Sequence, residues 1–415
     1  MKKYRLGELI EVSRGASLSG EFFAKEGRYI RLTCGNFDYQ NNCFKENTSK
    51  DNLYYIGEFK EEFLLKEGDI ITPLTEQAIG LLGSTALIPE SGKYIQSQDV
   101  AKVTCNEALL DQNYAFYLLS STQVKQQLSA GAQQTKIRHT SPGKIKDCIV
   151  WLPPLTEQKR IGQLLSTIDR KIALNRAINH NLEAMAKQLY DYWFVQFNFP
   201  DENGTPYKSS GGAMVWNEKL KREIPEGWKV KSIFEELSVQ YGFPFSTELF
   251  VEEQTSIPVV RIRDILSNSI SAYTTEQIEE RYRLQEKDLL IGMDGNFHMN
   301  YWSDNNSFLN QRSVRLRAVK SSVSIIQARY DIEPHIKAKE LRAKGSTVGH
   351  LSDKDLKDLF ILVPSIKDLR ITFDLILNKI IRNRVEITKL TKSRDELLPL
   401  LMNGQVSANY DLSHD

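Results

Sequence analysis

The chain has 415 residues, a formal net charge of +1 and 41% hydrophobic residues. A chain of this length is too long to fold around one ordinary hydrophobic core, so we expect two or more domains. The near-zero charge neither favours nor excludes a nucleic-acid partner, because basic residues can be concentrated locally. Residues 1–12 lack the apolar run of a signal peptide, and the sequence has no apolar stretch of about 18 residues. We therefore expect a soluble, cytoplasmic protein.

The two halves of the sequence repeat each other. Residues 135–153 align with residues 346–364, and the match resumes along the segments that follow. The matched pairs are His139 and His350, Ser141 and Ser352, Pro153 and Pro364, Ile168 and Ile376, Asn175 and Asn383, Arg176 and Arg384, Leu182 and Leu390, and Leu189 and Leu397. The ordered matches indicate an internal duplication.

Each copy begins with a globular segment and ends with a long helix. Residues 1–152 mix short β-type runs with one amphipathic segment, and residues 227–363 contain a comparable order of runs. Residues 197–226 are rich in Gly, Pro, Ser and Asn, and this composition predicts a linker. We expect residues 404–415 to form a C-terminal tail.

The helical segments, 153–196 and 364–403, place apolar residues at alternating intervals of four and three, the period of a coiled coil. A helix of about 38 residues is about 57 Å long and cannot be hidden inside a domain of about 140 residues. The first helix leads into the second globular segment, and the second helix leaves that segment. We therefore predict an α+β fold, with two similar globular α/β domains separated by two long antiparallel helices in a pseudo-twofold duplication.

Asn175 and Asn383 occupy equivalent positions near the midpoints of the two heptad seams. In an antiparallel pair they would meet close to the pseudo-twofold axis. A seam asparagine costs stability but fixes register and orientation. The alternative is a solvated notch in an imperfect seam.

Three segments are distinctive: 152–197 (LPPLTEQKRIGQLLSTIDRKIALNRAINHNLEAMAKQLYDYWFVQF), 200–230 (PDENGTPYKSSGGAMVWNEKLKREIPEGWKV) and 354–365 (KDLKDLFILVPS). In these segments, and over essentially its whole length, the chain resembles the specificity subunits of type I restriction–modification systems.

The resemblance implies two target recognition domains, each reading one half of a bipartite, asymmetric DNA sequence. It implies that the long helices set the gap between the half-sites and dock two modification subunits that methylate adenine. Restriction subunits with translocase and nuclease activity would complete the complex. This chain would have no catalysis and no cofactor of its own; S-adenosylmethionine, ATP and Mg are expected on the partner subunits.

The motif content of the sequence agrees with a non-catalytic role. The adenine methyltransferase motif (N/D)PP(Y/F) does not occur, since the only PP lies in LPPL at 152–155. The sequence contains no GxxxxGK[ST] loop, no HExxH and no GxSxG. No His, Cys and carboxylate residues cluster at metal-ligand spacing, so we expect no metal site.

We predict DNA contacts in polar loops, because phosphate contacts position a protein and base-edge contacts specify the sequence. Arg pairs with guanine, and Asn and Gln pair with adenine. The candidates are Arg14, Ser17, Thr75, Gln77, Gln133, Gln134, Thr135, Lys136 and Arg138 in the first domain, and Asn296, His298, Asn300, Tyr301, Arg312, Lys344, Ser346 and Thr347 in the second. Each could instead be a solvated loop residue.

Residues that agree between the copies should hold a shared frame. Ser141 and Ser352 are therefore interpreted as helix caps, and His139 and His350 as structural or phosphate-facing. Arg138 aligns with a glycine and could be a reader private to the first domain. Two alternatives remain: a coiled-coil scaffold without DNA readout, and a stand-alone methyltransferase or nuclease.

Overall fold

The computed structural model describes residues 1–76, 80–130, 138–254, 256–343, 349–366 and 368–408. The chain divides into two compact units. Unit 1 comprises Met1–Lys171 and Leu390–Asp415, and unit 2 comprises Ile172–Lys389. Each unit therefore contains one of the predicted globular segments together with a part of each long helix.

Unit 1 is formed by short strands, three short helices and portions of the two long ones. The strands are β1 (Lys2–Arg5), β2 (Ile10–Arg14), β3 (Phe23–Ala24), β4 (Tyr29–Arg31), β5 (Phe37–Asp38), β6 (Cys43–Phe44), β7 (Tyr54–Tyr55), β8 (Ile70–Pro73), β9 (Thr75–Glu76), β10 (Ala86–Leu87), β11 (Tyr94–Ile95), β12 (Val100–Cys105), β13 (Arg138–His139) and β14 (Ile149–Leu152). The helices are α1 (Gln112–Leu119), α2 (Thr122–Ala130), α3 (Pro142–Asp147) and the long α4 (Leu155–Tyr190), whose second half belongs to unit 2.

Unit 2 contains the same kinds of element. Its strands are β15 (Met214–Asn217), β16 (Arg222–Pro225), β17 (Lys229–Ser232), β18 (Leu237–Tyr241), β19 (Phe250–Val251), β20 (Ile257–Val260), β21 (Ala272–Thr274), β22 (Leu289–Gly292), β23 (Met299–Tyr301), β24 (Phe308–Leu309), β25 (Ser313–Ala318) and β26 (Phe360–Val363). Its helices are α5 (Ile233–Glu236), α6 (Ile262–Ser267), α7 (Ile325–Ala343), α8 (Asp353–Lys357) and the long α9 (Asp368–Met402), whose last part, from Leu390, belongs to unit 1.

The strand pairings of unit 2 repeat those of unit 1. A four-stranded sheet has the order β10-β8-β12-β2 in unit 1 and β23-β22-β25-β18 in unit 2. A second sheet has the order β11-β4-β7-β3 in unit 1 and β24-β20-β21-β19 in unit 2, and each begins with a parallel pair. β1 pairs with β14, and β17 pairs with β26, in the same antiparallel way. The predicted duplication is confirmed.

A glycine follows the edge strand at the same place in both units. Gly15 follows β2, and a Cβ there would overlap the carbonyl oxygen of Gln96. Gly242 follows β18, and a Cβ there would overlap the carbonyl oxygen of Asn310. In each unit the next residue forms a parallel bridge to this neighbouring segment. The close backbone approach requires a residue without a side chain.

The two long helices run antiparallel in each unit. In unit 2, Asn175 contacts Glu386 and Asn179 contacts Ile380, so residue numbers fall on α9 as they rise on α4. In unit 1, Glu157 contacts Ala408, and Asp169 contacts Arg394. The buried seam positions are Ile161, Leu165, Ile172, Asn175, Asn179 and Ala186 on α4, and Leu369, Phe373, Ile376, Ile380, Asn383 and Arg394 on α9. The predicted heptad pairing and the α+β class are confirmed.

The segment predicted as a linker, 197–226, is folded into unit 2. Phe197 and Phe199 are buried in the core of the unit, and β15 and β16 form an antiparallel hairpin. The ring of Phe199 stacks on Tyr207 with 4.7 Å between ring centres and on Trp228 with 4.9 Å. Composition indicated the turns of this segment but not its aromatic packing. Among the described residues, no helix is long and apolar enough to cross a bilayer.

Candidate nucleic-acid interface

The segments around three predicted DNA-contacting residues, Arg14, Thr75 and Arg138, meet at one edge of the β10-β8-β12-β2 sheet of unit 1. Ala101, at the start of β12, pairs with Arg14 on one side and Thr72 on the other. The segments that follow β2 and β8 therefore leave the sheet at the same edge. The third segment joins them because His139 pairs with Thr75. We call this edge the loop edge of unit 1.

Unit 2 has a loop edge of the same construction. Val314, at the start of β25, pairs with Tyr241 on one side and Ile291 on the other. Asp294 then forms a bridge with His350, as Thr75 does with His139. The strand pairings thus place Tyr241 at the position of Arg14 and Asp294 at the position of Thr75.

The two loop edges share a frame of backbone hydrogen bonds. In unit 1, the Leu74 amide donates to the Asp99 carbonyl (2.8 Å), and the Leu74 carbonyl accepts from the Thr140 amide (2.9 Å). In unit 2, the Met293 amide donates to the Arg312 carbonyl (2.8 Å), and the Met293 carbonyl accepts from the Leu351 amide (2.7 Å). Because these bonds use main-chain groups, they do not dictate which side chains stand at the edge.

The exposed candidates of unit 1 are Arg14 and Ser17. Nε of Arg14 donates to the Gln98 carbonyl at 2.8 Å, which fixes the guanidinium beside the start of β12. Arg138 is partly exposed, and its Nη1 donates to Oγ of Ser129 at 3.0 Å. The other candidates of this unit, Gln77, Gln133, Gln134, Thr135 and Lys136, lie outside the described residues. Their DNA contacts stay predictions.

Thr75 belongs to the fold rather than to the surface. Its side chain is buried, and its hydroxyl lies 3.0 Å from Sγ of Cys34. Burial, opposed by this hydrogen bond, raises the pKa of the Cys34 thiol. We therefore no longer expect Thr75 to contact a base.

In unit 2, the loop edge presents Asn296, His298 and Arg312. Asn296 and Arg312 are exposed, and His298 is partly exposed. Arg312 forms an ion pair with Asp294, a residue that the sequence analysis missed. Lys344, Ser346 and Thr347 lie outside the described residues, and these candidates stay predictions.

Asn300 and Tyr301 have structural roles, contrary to prediction. Nδ2 of Asn300 donates to the carbonyls of Ile265 (3.1 Å) and Leu266 (2.9 Å), while its Oδ1 accepts from Arg384 at 2.8 Å. Tyr301 is 2% exposed, and burial raises its pKa. Both residues lie on β23. The side chain of Asn300 links this strand to α6 and to Arg384 on α9, and the side chain of Tyr301 is part of the core of unit 2.

The residues that agree between the copies have equivalent roles. The Ser141 hydroxyl accepts from the Lys144 amide at the start of α3, and the Ser352 hydroxyl accepts from the Asp355 amide at the start of α8, both at 3.3 Å. The predicted caps are confirmed. Nδ1 of His350 lies 2.5 Å from Asp294, within the same bridge that His139 makes with Thr75.

The seam asparagines pair one helical turn away from the predicted partners. Asn383 donates to Asn179 at 2.8 Å, and Asn175 donates to Glu386 at 2.9 Å. The predicted meeting of Asn175 with Asn383 is therefore shifted by four residues on α4.

Two cysteine thiols lie in surroundings that favour their protonated form. Burial, with the nearby carboxylates, raises the pKa of Cys105 to about 12 and that of Cys148 to about 11, which disfavours a thiolate nucleophile at neutral pH. Within the described ranges, no group of three or more His, Cys, Asp or Glu side chains could hold a metal ion.

Residues 1–184 and 225–395 match the family model of the type I restriction modification DNA specificity domain. The chain belongs to this family. Family membership identifies a DNA-binding, non-catalytic specificity subunit, and it disfavours the alternative of an interaction scaffold without DNA readout.

Relatives and solved structures are similar to the chain over different lengths. The MjaIX specificity subunit of Methanocaldococcus jannaschii is 25% identical over 312 residues, which cover 71% of this chain and 68% of that one. The EcoBI specificity subunit of Escherichia coli is 28% identical over 148 residues, which cover 36% of this chain and 31% of that one. The crystal structure of the type I S subunit from M. genitalium covers 97% of this chain and 96% of that one, with 17% identity and a TM-score of 0.60, and supports the fold.

Proposed function

We propose that the chain selects the DNA target of a type I restriction–modification complex, with each unit reading one half of a bipartite, asymmetric sequence. The observation that carries the proposal is the repeated loop edge, in which one backbone frame presents different side chains. Sequence is read by side chains on base edges, whereas a common backbone frame holds the reader in place. Arg14 in one unit and Tyr241 in the other give the two frames different chemistry.

The antiparallel helices α4 and α9 would set the distance between the half-sites. Seam packing and the buried asparagines define one register within unit 2. In unit 1, Arg394 is 8% exposed and its guanidinium contacts Asp169, whose carboxylate also accepts from the Tyr117 hydroxyl at 2.6 Å. A buried, paired arginine at a seam position allows few alternative registers.

A second heptad stripe on α4 is the surface that we propose for the modification subunits. Leu174 and Met185 are 58% and 47% exposed and point away from the buried seam. With them recur Ile178, Asn181 and Gln188, at the alternating spacing of four and three. We call these five residues the outer stripe. Leu174, Met185 and the partly exposed Ile178 are its apolar members, and apolar side chains at this spacing fit a helix of a partner protein.

The chemistry would reside on the partners. We propose two modification subunits that bind S-adenosylmethionine and methylate adenine, and restriction subunits that use ATP and Mg²⁺. The complex would act on DNA in the cytoplasm. The contribution of this chain is selection of the site and its spacing.

The test is selection from a randomised duplex library by the chain reconstituted with its modification subunit. The expected result is enrichment of two short motifs separated by a fixed gap. Retention of DNA without any enriched motif would contradict the proposal. A parallel selection without the modification subunit measures how much of the binding depends on the complex.

A further inference from the structure

Asp294 holds two exposed side chains at the loop edge of unit 2. Its Oδ2 lies 3.1 Å from Nη1 of Arg312, and its Oδ1 lies 2.5 Å from Nδ1 of His350. The carboxylate side chain is only 19% exposed, whereas the side chains of Arg312 and His350 are 70% and 59% exposed. A largely buried acid therefore holds two accessible basic side chains.

The backbone fixes all three residues relative to one another. Asp294 and His350 form a bridge, and the Gly295 amide donates to the Gly349 carbonyl at 2.9 Å. The Arg312 carbonyl accepts from the Met293 amide at 2.8 Å. The contact between Asp294 and Arg312 thus joins segments that the sheet already holds together.

Arg312 has a backbone conformation that disfavours its own side chain. Its φ angle is 63°, in the left-handed region where a Cβ costs free energy and glycine is preferred. Strained backbone of this kind is concentrated at functional sites. An exposed arginine in a backbone conformation that favours glycine indicates that the guanidinium has a functional role.

The charge balance favours a base edge over a phosphate as the ligand. Asp294 offsets the charge of Arg312, and the affinity for a phosphate depends on net positive charge and released counterions. Neutralising the charge does not remove the directional N–H donors of the guanidinium. The group has five such donors, and its contact with one carboxylate oxygen leaves others for a ligand. Two such donors match O6 and N7 of guanine in the major groove.

We propose that Arg312 reads a guanine in the half-site of unit 2, and that Asp294 is the positioning residue that fixes its guanidinium, with His350 on the other carboxylate oxygen. The inference rests on the proposed function. In unit 1, Thr75 and Asp99 occupy the positions of Asp294 and Arg312, so the assignment concerns one half-site only.

The experiment compares target selection by the chain in complex with its modification subunit for the wild type, Arg312→Lys, Asp294→Asn and the control Asp358→Asn. The control removes the same charge from an exposed carboxylate at the C-cap of α8. Arg312→Lys and Asp294→Asn should each lose the preference for guanine at the same position of one half-site, by about 10- to 100-fold. Asp294→Asn should retain DNA of random sequence at least as well as the wild type, because it removes a negative charge. Asp358→Asn should select the wild-type motif.

Arg312→Gly separates readout from stability, because glycine relieves the left-handed backbone. It should lose the guanine preference without a lower Tm, whereas a purely structural arginine would lower the Tm. The inference would be overturned if Asp294→Asn kept the wild-type base preference. It would also be overturned if Arg312→Lys weakened DNA binding equally on all sequences, with a smaller salt dependence. If the wild-type complex itself selects no motif, the proposed function fails instead.

Discussion

The side-chain amide of Asn383 donates a hydrogen bond to Oδ1 of Asn179 across the seam between α9 and α4, at 2.8 Å. Asn179 in turn donates to the carbonyl of Ile380 at 3.2 Å, and both asparagines are less than 10% exposed. A buried polar pair stabilises less than two packed leucines would, but it penalises every other register, in which its groups lose their partners.

The asparagine pair predicts a non-additive double-mutant cycle. Asn383→Leu should lower the free energy of unfolding by about 1–3 kcal/mol, because Oδ1 of Asn179 loses its buried partner. Replacing both residues with leucine should recover the wild-type value or exceed it. Urea unfolding of the wild type, Asn383→Leu, Asn179→Leu and the double variant measures the coupling. Additive effects would show that the hydrogen bond does not couple the helices. Cross-linking of paired cysteines then reports whether the double variant populates a second register.

The glycines of the two frames predict parallel losses of stability. Gly15→Ala and Gly242→Ala should each destabilise the unit that contains the glycine by about 1–3 kcal/mol, since the new methyl group overlaps a carbonyl oxygen. Gly143→Ala is the matched control: the nearest atom to its Cβ is 3.8 Å away, and the residue lies in α3. It should be neutral or stabilising by up to about 1 kcal/mol. Thermal unfolding gives the Tm of each of the three variants. An unchanged Tm for Gly242→Ala would contradict the requirement for glycine.

Asp331 predicts a pH dependence of the stability of unit 2. Burial raises its pKa from 3.8 to about 6, although its carboxylate accepts from the Tyr190 hydroxyl at 2.7 Å and from the Leu362 amide at 3.0 Å. Because the folded form holds a proton that the unfolded form releases, the contribution of this group to stability is full below about pH 4 and is lost as the pH rises to about 6.

The test is the difference in free energy of unfolding between the wild type and Asp331→Asn across this pH range. The wild type should lose about 3 kcal/mol relative to the variant from pH 4 to above pH 6. A difference that is flat with pH would show that the carboxyl group titrates alike in the folded and unfolded states.

The outer stripe predicts which exposed residues the modification subunit needs. Leu174→Asp with Met185→Asp should weaken association by about 100-fold or more, because two apolar contacts are lost and two charges would be buried. The fold should survive, since both side chains are exposed. Val319→Asp is the control, because Val319 is 62% exposed and follows the end of β25 that is distant from the loop edge. Sedimentation of the mixed subunits measures association; undiminished binding by the double variant would exclude this face.

The length of the helices predicts the gap between the half-sites. Insertion of one heptad into both α4 and α9 lengthens each by about 10 Å, close to three base pairs of DNA. Selection of duplex targets should therefore return the same two motifs with a gap about three base pairs longer. Insertion into one helix alone breaks the seam register and serves as the control. An unaltered gap in the double insertion would remove the spacing role.

The features that follow local sequence rules were predicted correctly. The alternating spacing in 153–196 and 364–403 predicted two long helices with a buried seam, where Ile161 and Ile376 are now found, and the serine patterns predicted caps at Ser141 and Ser352. These depend on residues within a few positions of each other, so a single sequence suffices to find them.

The errors concern contacts between residues distant in sequence. Asn300 resembled a DNA-reading side chain because its neighbourhood is polar, but its partner Arg384 lies 84 positions away. Asp294 was overlooked, since its equivalence to Thr75 is visible only from the strand pairings. The segment 197–226 was misjudged for the same reason, because its packing depends on Trp228 and the core of unit 2.

The main-chain frame of the loop edges has a consequence for how new DNA preferences arise. Neither Asp99 nor Arg312 uses its side chain in the bond that anchors its segment; each contributes a carbonyl. Under the proposed function, a point substitution at such a position would change the chemistry offered to DNA at little cost in stability. Recognition can therefore drift by single steps through many viable intermediates, while Gly15, Gly242 and the capping serines preserve the scaffold that makes such drift tolerable.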